Sequence, residues 1–535
     1  MQQLRKAVGA HNFGAGVTIQ RTLWAKAFYA ACATMLMAPG LAAAQSTQEL
    51  NSEVQDLKMQ VQQLKAQVNG TATAPATAAP AAAVASDEKP VTYKGATMNL
   101  GGLKLTLGGF IAAETVWRSR NETADINTSF TGIPFQNNNN YYDSEFRETA
   151  RQSRVQMLAQ GPTDGVNKVE AFIAADFLSS GTTSNQNQSH SYTLRMREGY
   201  LTWARSDLDM YVLAGQSWSL ATMYKKGLTP RSEDLPMTID AQYVVGFNWL
   251  RTPQIRIVKN FGSFAALGLS VEDPQNQVKG TAPAGSLATN PGTGGGLLNA
   301  TANYSTDIAP DVTVKAAFDP GWGHYEVYSL TRFFRDRAES TPGTVASTTN
   351  KTSVAESIGA GMILPLVPKM LDFQASGLVG HGNGRYASAQ LGDSTYNSNN
   401  GSIASLKSQS LLLGLIAHPT PRFDIYGYAG MERVGSAYGY GDGVGDNSAC
   451  NVNVVDTGAL PTVGGKAASC SGAISSAREA TGGFWWKAYK GPIGYLQTGA
   501  QFSYFKLKTF TDAAGFQGKT DDSSVMLSFR YYPYQ

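Results

Sequence analysis

Apolar and polar residues alternate along this chain from about residue 100 to its end, in segments of roughly 9 to 11 residues or more, the length of a membrane-crossing strand. Between Asn167 and Phe177 the residues Val169, Ala171, Ile173, Ala175 and Phe177 share one face, and Lys168, Glu170 and Asp176 share the other. In a soluble sandwich the apolar face turns inward. In a membrane barrel it turns to lipid and the polar set lines the lumen. Periodicity alone leaves both open, and the connections decide between them.

The alternation predicts sixteen strands, at 103–118, 149–160, 167–177, 191–203, 208–219, 242–259, 264–272, 311–319, 324–337, 353–364, 371–386, 404–417, 423–434, 477–489, 494–508 and 523–533. Short links such as Gly161-Pro162-Thr163-Asp164-Gly165, Arg205-Ser206-Asp207, Asp319-Pro320-Gly321, Val367-Pro368-Lys369 and Lys490-Gly491-Pro492 carry turn formers. They alternate with long Gly/Asn/Ser-rich links, among them 119–148, 273–310, 387–403 and 435–476. An even strand number with short turns at one end and long loops at the other is the pattern of a transmembrane β-barrel. The overlong sixth strand contains Pro253, which predicts a bulge or break there. Trp117, Trp203, Trp218, Trp249, Trp322, Trp485 and Trp486 fall near strand ends, where interfacial aromatic girdles form.

The first hundred residues read differently. Arg5, Lys6, Arg21 and Lys26 precede an apolar stretch, Ala27 to Leu41, and Ala42-Ala43-Ala44 offers small residues for cleavage, so 1–44 reads as an export signal. Cys32 lacks the Leu three positions before it that a lipidation site would carry. In 45–70 the residues Leu50, Val54, Leu57, Val61, Leu64 and Val68 are spaced 4, 3, 4, 3, 4, the seam of a short coiled coil that favours self-association on the periplasmic side. An Ala/Thr/Pro-rich linker over 71–98 joins it to a barrel domain over 99–535.

Composition changes this picture little. The chain is 16% charged and holds 56 glycines. No apolar run after residue 44 is long enough for a membrane helix. Losing the 4 basic residues of the export segment leaves 39 basic against 40 acidic residues, which removes the support for nucleic-acid binding. Cys450 and Cys470, the two cysteines beyond that segment, share one long loop of an exported chain and are expected to form a disulfide closing about 20 residues.

Strand parity places Arg154, Arg256 and Arg530 on the lumen face, since an arginine facing lipid at mid-depth costs about 2–4 kcal/mol. Arg195 and Arg197 point the same way if Glu198 is accommodated at a subunit interface or a bulge, and Arg332 lines the pore or belongs to a loop. Asp176, Asp372 and Asp424 face inward too, so the lumen is mixed in sign. The third long loop, Ser219 to Ala241, carries Lys225, Lys226 and Arg231 beside Glu233, Asp234 and Asp240, and reads equally as a constriction loop or as ordinary surface.

Several stretches in order, Ala150-Arg151-Gln152-Ser153-Arg154, Leu213-Ala214-Gly215-Gln216-Ser217-Trp218, Arg251-Thr252-Pro253-Gln254-Ile255-Arg256 and Phe529-Arg530-Tyr531-Tyr532-Pro533-Tyr534, with the coiled coil and linker before them, resemble the DcaP-type trimeric porins of Gram-negative outer membranes. The resemblance implies a homotrimer of sixteen-stranded barrels set in outer-membrane lipid and passing small anionic solutes such as dicarboxylates, with Arg154, Gln216, Arg251 and Arg256 along the passage. The chain departs from the usual terminal Phe by ending Tyr534-Gln535. Five scattered histidines come with no nucleophile elbow, zinc spacing or phosphate loop, so no cofactor, metal or catalytic residue is expected. A barrel phospholipase and a structural or adhesion barrel are the alternative readings.

Overall fold

The computed structural model describes residues 92–94, 96–136, 138–179, 187–280, 286, 306–339, 348–396, 401–437, 462–463, 466–467, 474–511 and 517–534. The expected export signal, the coiled-coil seam, both cysteines of the expected disulfide and Gln535 lie outside the described residues.

Sixteen antiparallel strands form one closed barrel. They are β1 (Leu103–Arg118), β2 (Glu145–Thr149 continued by Arg154–Gln160), β3 (Asn167–Asp176), β4 (Arg195–Arg205), β5 (Met210–Trp218), β6 (Arg251–Phe261), β7 (Ala265–Glu272), β8 (Asp311–Phe318), β9 (His324–Glu339), β10 (Thr348–Val367), β11 (Leu371–His381), β12 (Lys407–Thr420), β13 (Phe423–Val434), β14 (Ile474–Gly491), β15 (Gly494–Thr511) and β16 (Gln517–Tyr532). Each pairs with its neighbours in sequence, and β16 closes on β1 from Ser524↔Arg118 to Tyr531↔Ile111. Closure leaves no open edge, which lets the wall stand in a medium without water. The tail of the expected linker is not extended chain alone: Thr92–Lys94 and Thr97–Leu100 form a hairpin added to the foot of β1.

The alternation seen in the sequence is the alternation of the wall. In β7, Leu267, Leu269 and Val271 are exposed on the outer face, whereas Gly268, Ser270 and Glu272 turn inward and are buried. The outer face is thus an apolar band that demands lipid. Of the seven tryptophans expected at girdles, Trp117, Trp203, Trp322 and Trp486 stand exposed outside, but Trp218 and Trp485 are buried within the lumen and Trp249 packs beside them. A tryptophan near a strand end does not reveal its side.

Three departures from the sequence reading have local causes. The second strand is broken at 150–153, where the Ser153 hydroxyl accepts the Ala112 amide in place of a ladder bond. The sixth begins at Arg251, and Pro253 sits near its upper end with no break in register. Residues 242–250 leave the wall: Tyr243 to Asn248 are buried one after another rather than alternately, because they belong to a loop lying inside the barrel.

Candidate functional site

The lumen is occupied by folded loops. The connection 219–250 runs down inside the barrel until the Gly227 amide reaches the Asp319 carboxylate at the short-turn end. Inward carboxylates hold its backbone. Glu272 accepts the Leu220 amide at 2.9 Å, Glu326 that of Tyr224 at 3.0 Å, Glu479 that of Val245 at 2.8 Å and Glu432 that of Gly246 at 2.7 Å. On other sides Trp485 donates to the Met237 carbonyl at 2.7 Å and Lys315 to that of Thr222 at 2.8 Å. Of the two readings of this loop, ordinary surface is therefore excluded. A second loop segment, 382–396, packs on the first through Trp249 N to Tyr386 O at 2.9 Å and Ser388 N to Phe247 O at 3.1 Å, and the first long loop adds Ile126, buried beside Tyr243 and Val244.

These bonds dispose of the inward acids. A carboxylate that accepts one or two amide protons has its lone pairs committed to the loop and is screened by it from a passing solute. Glu272 on β7, Glu326 on β9, Glu432 on β13 and Glu479 on β14 face loop backbone rather than open lumen. The other wall, from β16 through β4, keeps its cations.

There a cavity of about 300 Å³ is lined by Phe110, Gln152, Arg154, Gln156, Arg197 and Arg530 from the wall and by Leu235, Pro236, Thr238, Asp240 and Tyr243 from the loop. Arg530 donates to Glu114 at 2.9 and 2.7 Å. Arg195 grips Asp176 with two bonds of 2.9 Å, and Arg197 adds a third of 2.6 Å while reaching the Tyr243 hydroxyl at 3.3 Å. Arg154 stands directly across from Asp176 in the ladder, but those two arginines already fill that carboxylate. It has no ion pair or hydrogen bond among the described residues, and its buried Nε is unpartnered. Instead it and Arg530 share the Phe110 ring, at 5.3 and 4.9 Å from the centroid. The ring's negative face tempers the repulsion of two guanidinium groups. With Arg251 and Glu198 close by, five arginines meet four carboxylates, Glu114, Asp176 and Glu198 of the wall and Asp240 of the loop, so cations are in excess.

Glu198 turns inward because β4 carries a bulge: Ala174 pairs with Glu198 and Ala175 with Met196, leaving Arg197 as the extra residue. Of the two explanations open in the sequence, the bulge is the one found. The bulge also explains Gln216, which lies on the outer side of β5 and donates at 3.1 Å to the carbonyls of Met196 and Arg197. It does not face the passage.

Other candidates need correction as well. Arg256 points inward as parity requires, but it is fully buried beneath the loop, bonded to Gln254 at 3.0 Å and to the Tyr224 hydroxyl, so it anchors rather than lines. Arg251 lies between Trp218 and Trp249 at 5.0 and 5.2 Å, with its Nη1 unpartnered. Arg332 is neither in the pore nor solvated: it is buried between Asp311 at 3.0 Å and Asp393 at 2.9 Å. Arg231 binds Glu170 at 3.0 Å, fastening the loop to β3. Lys225 and Lys226 are exposed near the short-turn end, well below the arginine cavity, whereas Glu233 and Asp234 are buried against the wall. Asp424 is taken by His418 at 2.6 Å and Lys487 at 3.0 Å, with Asp372 3.7 Å from the same histidine. Sequence reading missed the buried Arg118–Glu145 pair at 2.9 Å and the amide-binding acids Glu272, Glu326, Glu432 and Glu479. Their signal was present as inward parity.

Burial pushes the Glu233 carboxyl up to about 7, helped by Glu198 and opposed by Arg256. Burial likewise raises Asp234 to about 7, against the pull of Lys225. A seated loop thus holds protons that a released loop, with ordinary values of 4.5 and 3.8, gives up. Seating is strongest below those ordinary values and weakens as pH rises through 7. We expect tryptic cleavage after Lys225 or Lys226, corrected for the protease's own pH profile, to be slower at pH 6 than at pH 8. The variant Glu233→Gln with Asp234→Asn should flatten that difference; an equal slope in the two proteins would show that these carboxyls do not govern the loop.

No protein-family model matches the chain, and its sequence matches no curated protein. Among solved structures, the outer membrane channel DcaP of Acinetobacter baumannii is similar over 80% of this chain and 98% of its own, with a TM-score of 0.54 and 17% identity. The anion-selective porin from Comamonas acidovorans aligns over 80% of this chain and 99% of its own, at a TM-score of 0.43 and 10% identity. The chain has the fold of the DcaP channel.

Proposed function

We propose that this chain is an outer-membrane porin that passes small anionic solutes, dicarboxylates among them, by passive diffusion, and that it works as a homotrimer. The observation that carries the reading is Arg154, a lumen guanidinium with no ion pair or hydrogen bond among the described residues, in a cavity where Asp176 and Glu114 are bonded to other arginines and the cations outnumber the acids. A guanidinium pairs with a carboxylate through two parallel bonds, so an unpaired arginine beside Arg197 and Arg530 offers a transient perch for a carboxylate solute. Passage requires binding weak enough to release, and the shared Phe110 ring and partial exposure of Arg195 keep the field moderate.

The fold shared with the DcaP channel and the resemblance of the sequence stretches to DcaP-type porins support the trimer and the location. Arg154, Arg197 and Arg530 act at the constriction in this reading, with Arg195 and Arg251 behind them. His324 is held by Asp319 at 2.9 Å and Glu326 at 3.1 Å, and His418 by Asp424, an arrangement that serves structure rather than a hydrolase pairing with serine. The test is single-channel recording of the purified mature protein in a KCl gradient, with succinate added on one side. A reversal potential of anion sign and a chloride current reduced by succinate are expected. Cation preference would remove the anion reading, and absence of any conductance would remove the porin.

A further inference from the structure

On the outer face, across β9 to β13, one ladder row runs Val327, Ala360, Gly377, Leu411, Met431. Its middle pair, Ala360 and Gly377, carries at most a methyl group, while Ile358, Val379 and Leu411 stand out around it as exposed apolar side chains. The result is a groove of about 710 Å³ with an almost wholly apolar lining. A smooth lipid-facing wall has no need of such a hollow, and none of the described residues fills it.

Immediately toward the long-loop end the outer face changes character. His381 pairs with Lys407, and Gln409 with Arg433, so that Lys407 and Arg433 are diagonal neighbours on adjacent strands, about 7–8 Å apart at the backbone. Both are exposed, and neither has an ion-pair partner among the described residues. The outward acid of this region, Glu356, lies on β10, two strands from Lys407, or about 10 Å. These two cations, with Arg478 exposed across from Met431 on β14, put uncompensated positive charge at the rim of an apolar slot, which matches an acyl chain topped by a phosphate.

We propose that this face binds a phosphorylated, acylated lipid of the outer leaflet, its phosphate held between Lys407 and Arg433 and an acyl chain laid in the groove over Ala360 and Gly377. Long cationic side chains reach a shared phosphate without backbone movement. The placement selects the leaflet at the long-loop end, because the same groove has no cationic rim in the direction of the turns. The site stands outside the pore, so lipid binding and conduction are separable.

The experiment uses the purified full-length protein in detergent, with fluorescent bisphosphorylated lipid A as the probe and its dephosphorylated form as comparison. Lys407→Ala with Arg433→Ala should weaken binding of the phosphorylated probe at least about tenfold, the scale of losing two charge-assisted contacts, and should abolish the preference over the dephosphorylated form. Ala360→Trp, which fills the slot on an exposed face and leaves both cations in place, should also weaken it. Channel conductance, recorded on the same samples, should stay unchanged in both, so a failed pore reading and a failed lipid site give different signatures. Unaltered probe affinity in both variants would overturn the proposal. So would disulfide-linked dimers of a Val379→Cys variant, since a second copy of the chain would then cover the groove.

Discussion

Replacing Arg154 with Glu is expected to abolish anion preference, and Arg154→Ala to reduce it about fivefold, the factor that roughly 1 kcal/mol of lost attraction represents. That energy is the interaction of unit charges about 4 Å apart in water; at an effective dielectric constant near 20 it rises to about 4 kcal/mol, so a partly dry cavity makes the estimate a lower one. Arg154 is the efficient target because its charge is uncommitted, whereas Arg195, Arg197 and Arg530 each share a carboxylate. Removing one of those also releases Asp176 or Glu114 from a partner, so its effect mixes the loss of a cation with the exposure of an acid. Arg256→Ala makes the contrast. It should leave the Tyr224 hydroxyl and the Gln254 Oε1 without their donor beneath the loop and lower the melting temperature, with selectivity following only as far as the loop is disturbed. Reversal potentials in a salt gradient, measured beside heat-modified mobility on gels, separate the two. An Arg154→Glu channel that keeps the native reversal potential would end the case for this residue.

What the sequence made legible was what one strand decides by itself. The strand set, the short and long ends, and the inward direction of Arg154, Arg256 and Arg530 all follow from a period of two, which needs no knowledge of neighbours. Partnership did not follow. Arg256 and Arg154 have the same parity, yet one lies under the loop 219–250 and the other beside it, a difference set by residues more than 30 positions away. Parity also outperformed likeness of motif: Gln216 sits among Tyr211 and Leu213, which turn inward at odd positions, so its outward direction was readable although its stretch resembles a porin's. Glu198 needed the Arg197 bulge, and residues 242–250 needed the lumen as a third environment, where neither alternation nor exposure applies. A run buried at each successive position, containing glycine and asparagine, is the mark that distinguishes such a plug segment from a wall strand.

Widening Gly430 is expected to release that plug while sparing the barrel. Gly430 lies on the inner side of β13, where an added Cβ would stand 1.7 Å from the Val245 carbonyl oxygen, a backbone atom that cannot turn aside. The loop meets the wall with a glycine of its own: Gly246 has φ +90°, and a Cβ there would come within 2.1 Å of the Leu411 oxygen. This close approach brings the Val245 and Gly246 amides onto Glu479 and Glu432 at 2.8 and 2.7 Å. Gly430→Val must break both bonds, each worth about 1.5–3 kcal/mol when the acceptor is charged. A loop so displaced withdraws Leu235, Pro236 and Tyr243 from the arginine cavity. The expected channel has full β content and normal assembly, but larger and noisier conductance and weaker succinate block. Gly427, three residues earlier and turned outward, is the control, because a Cβ there meets only the Thr481 oxygen at 3.9 Å; Gly427→Val should conduct as the native protein does. If Gly430→Val does so too, the constriction is made by the wall arginines alone and the loop is no part of the filter.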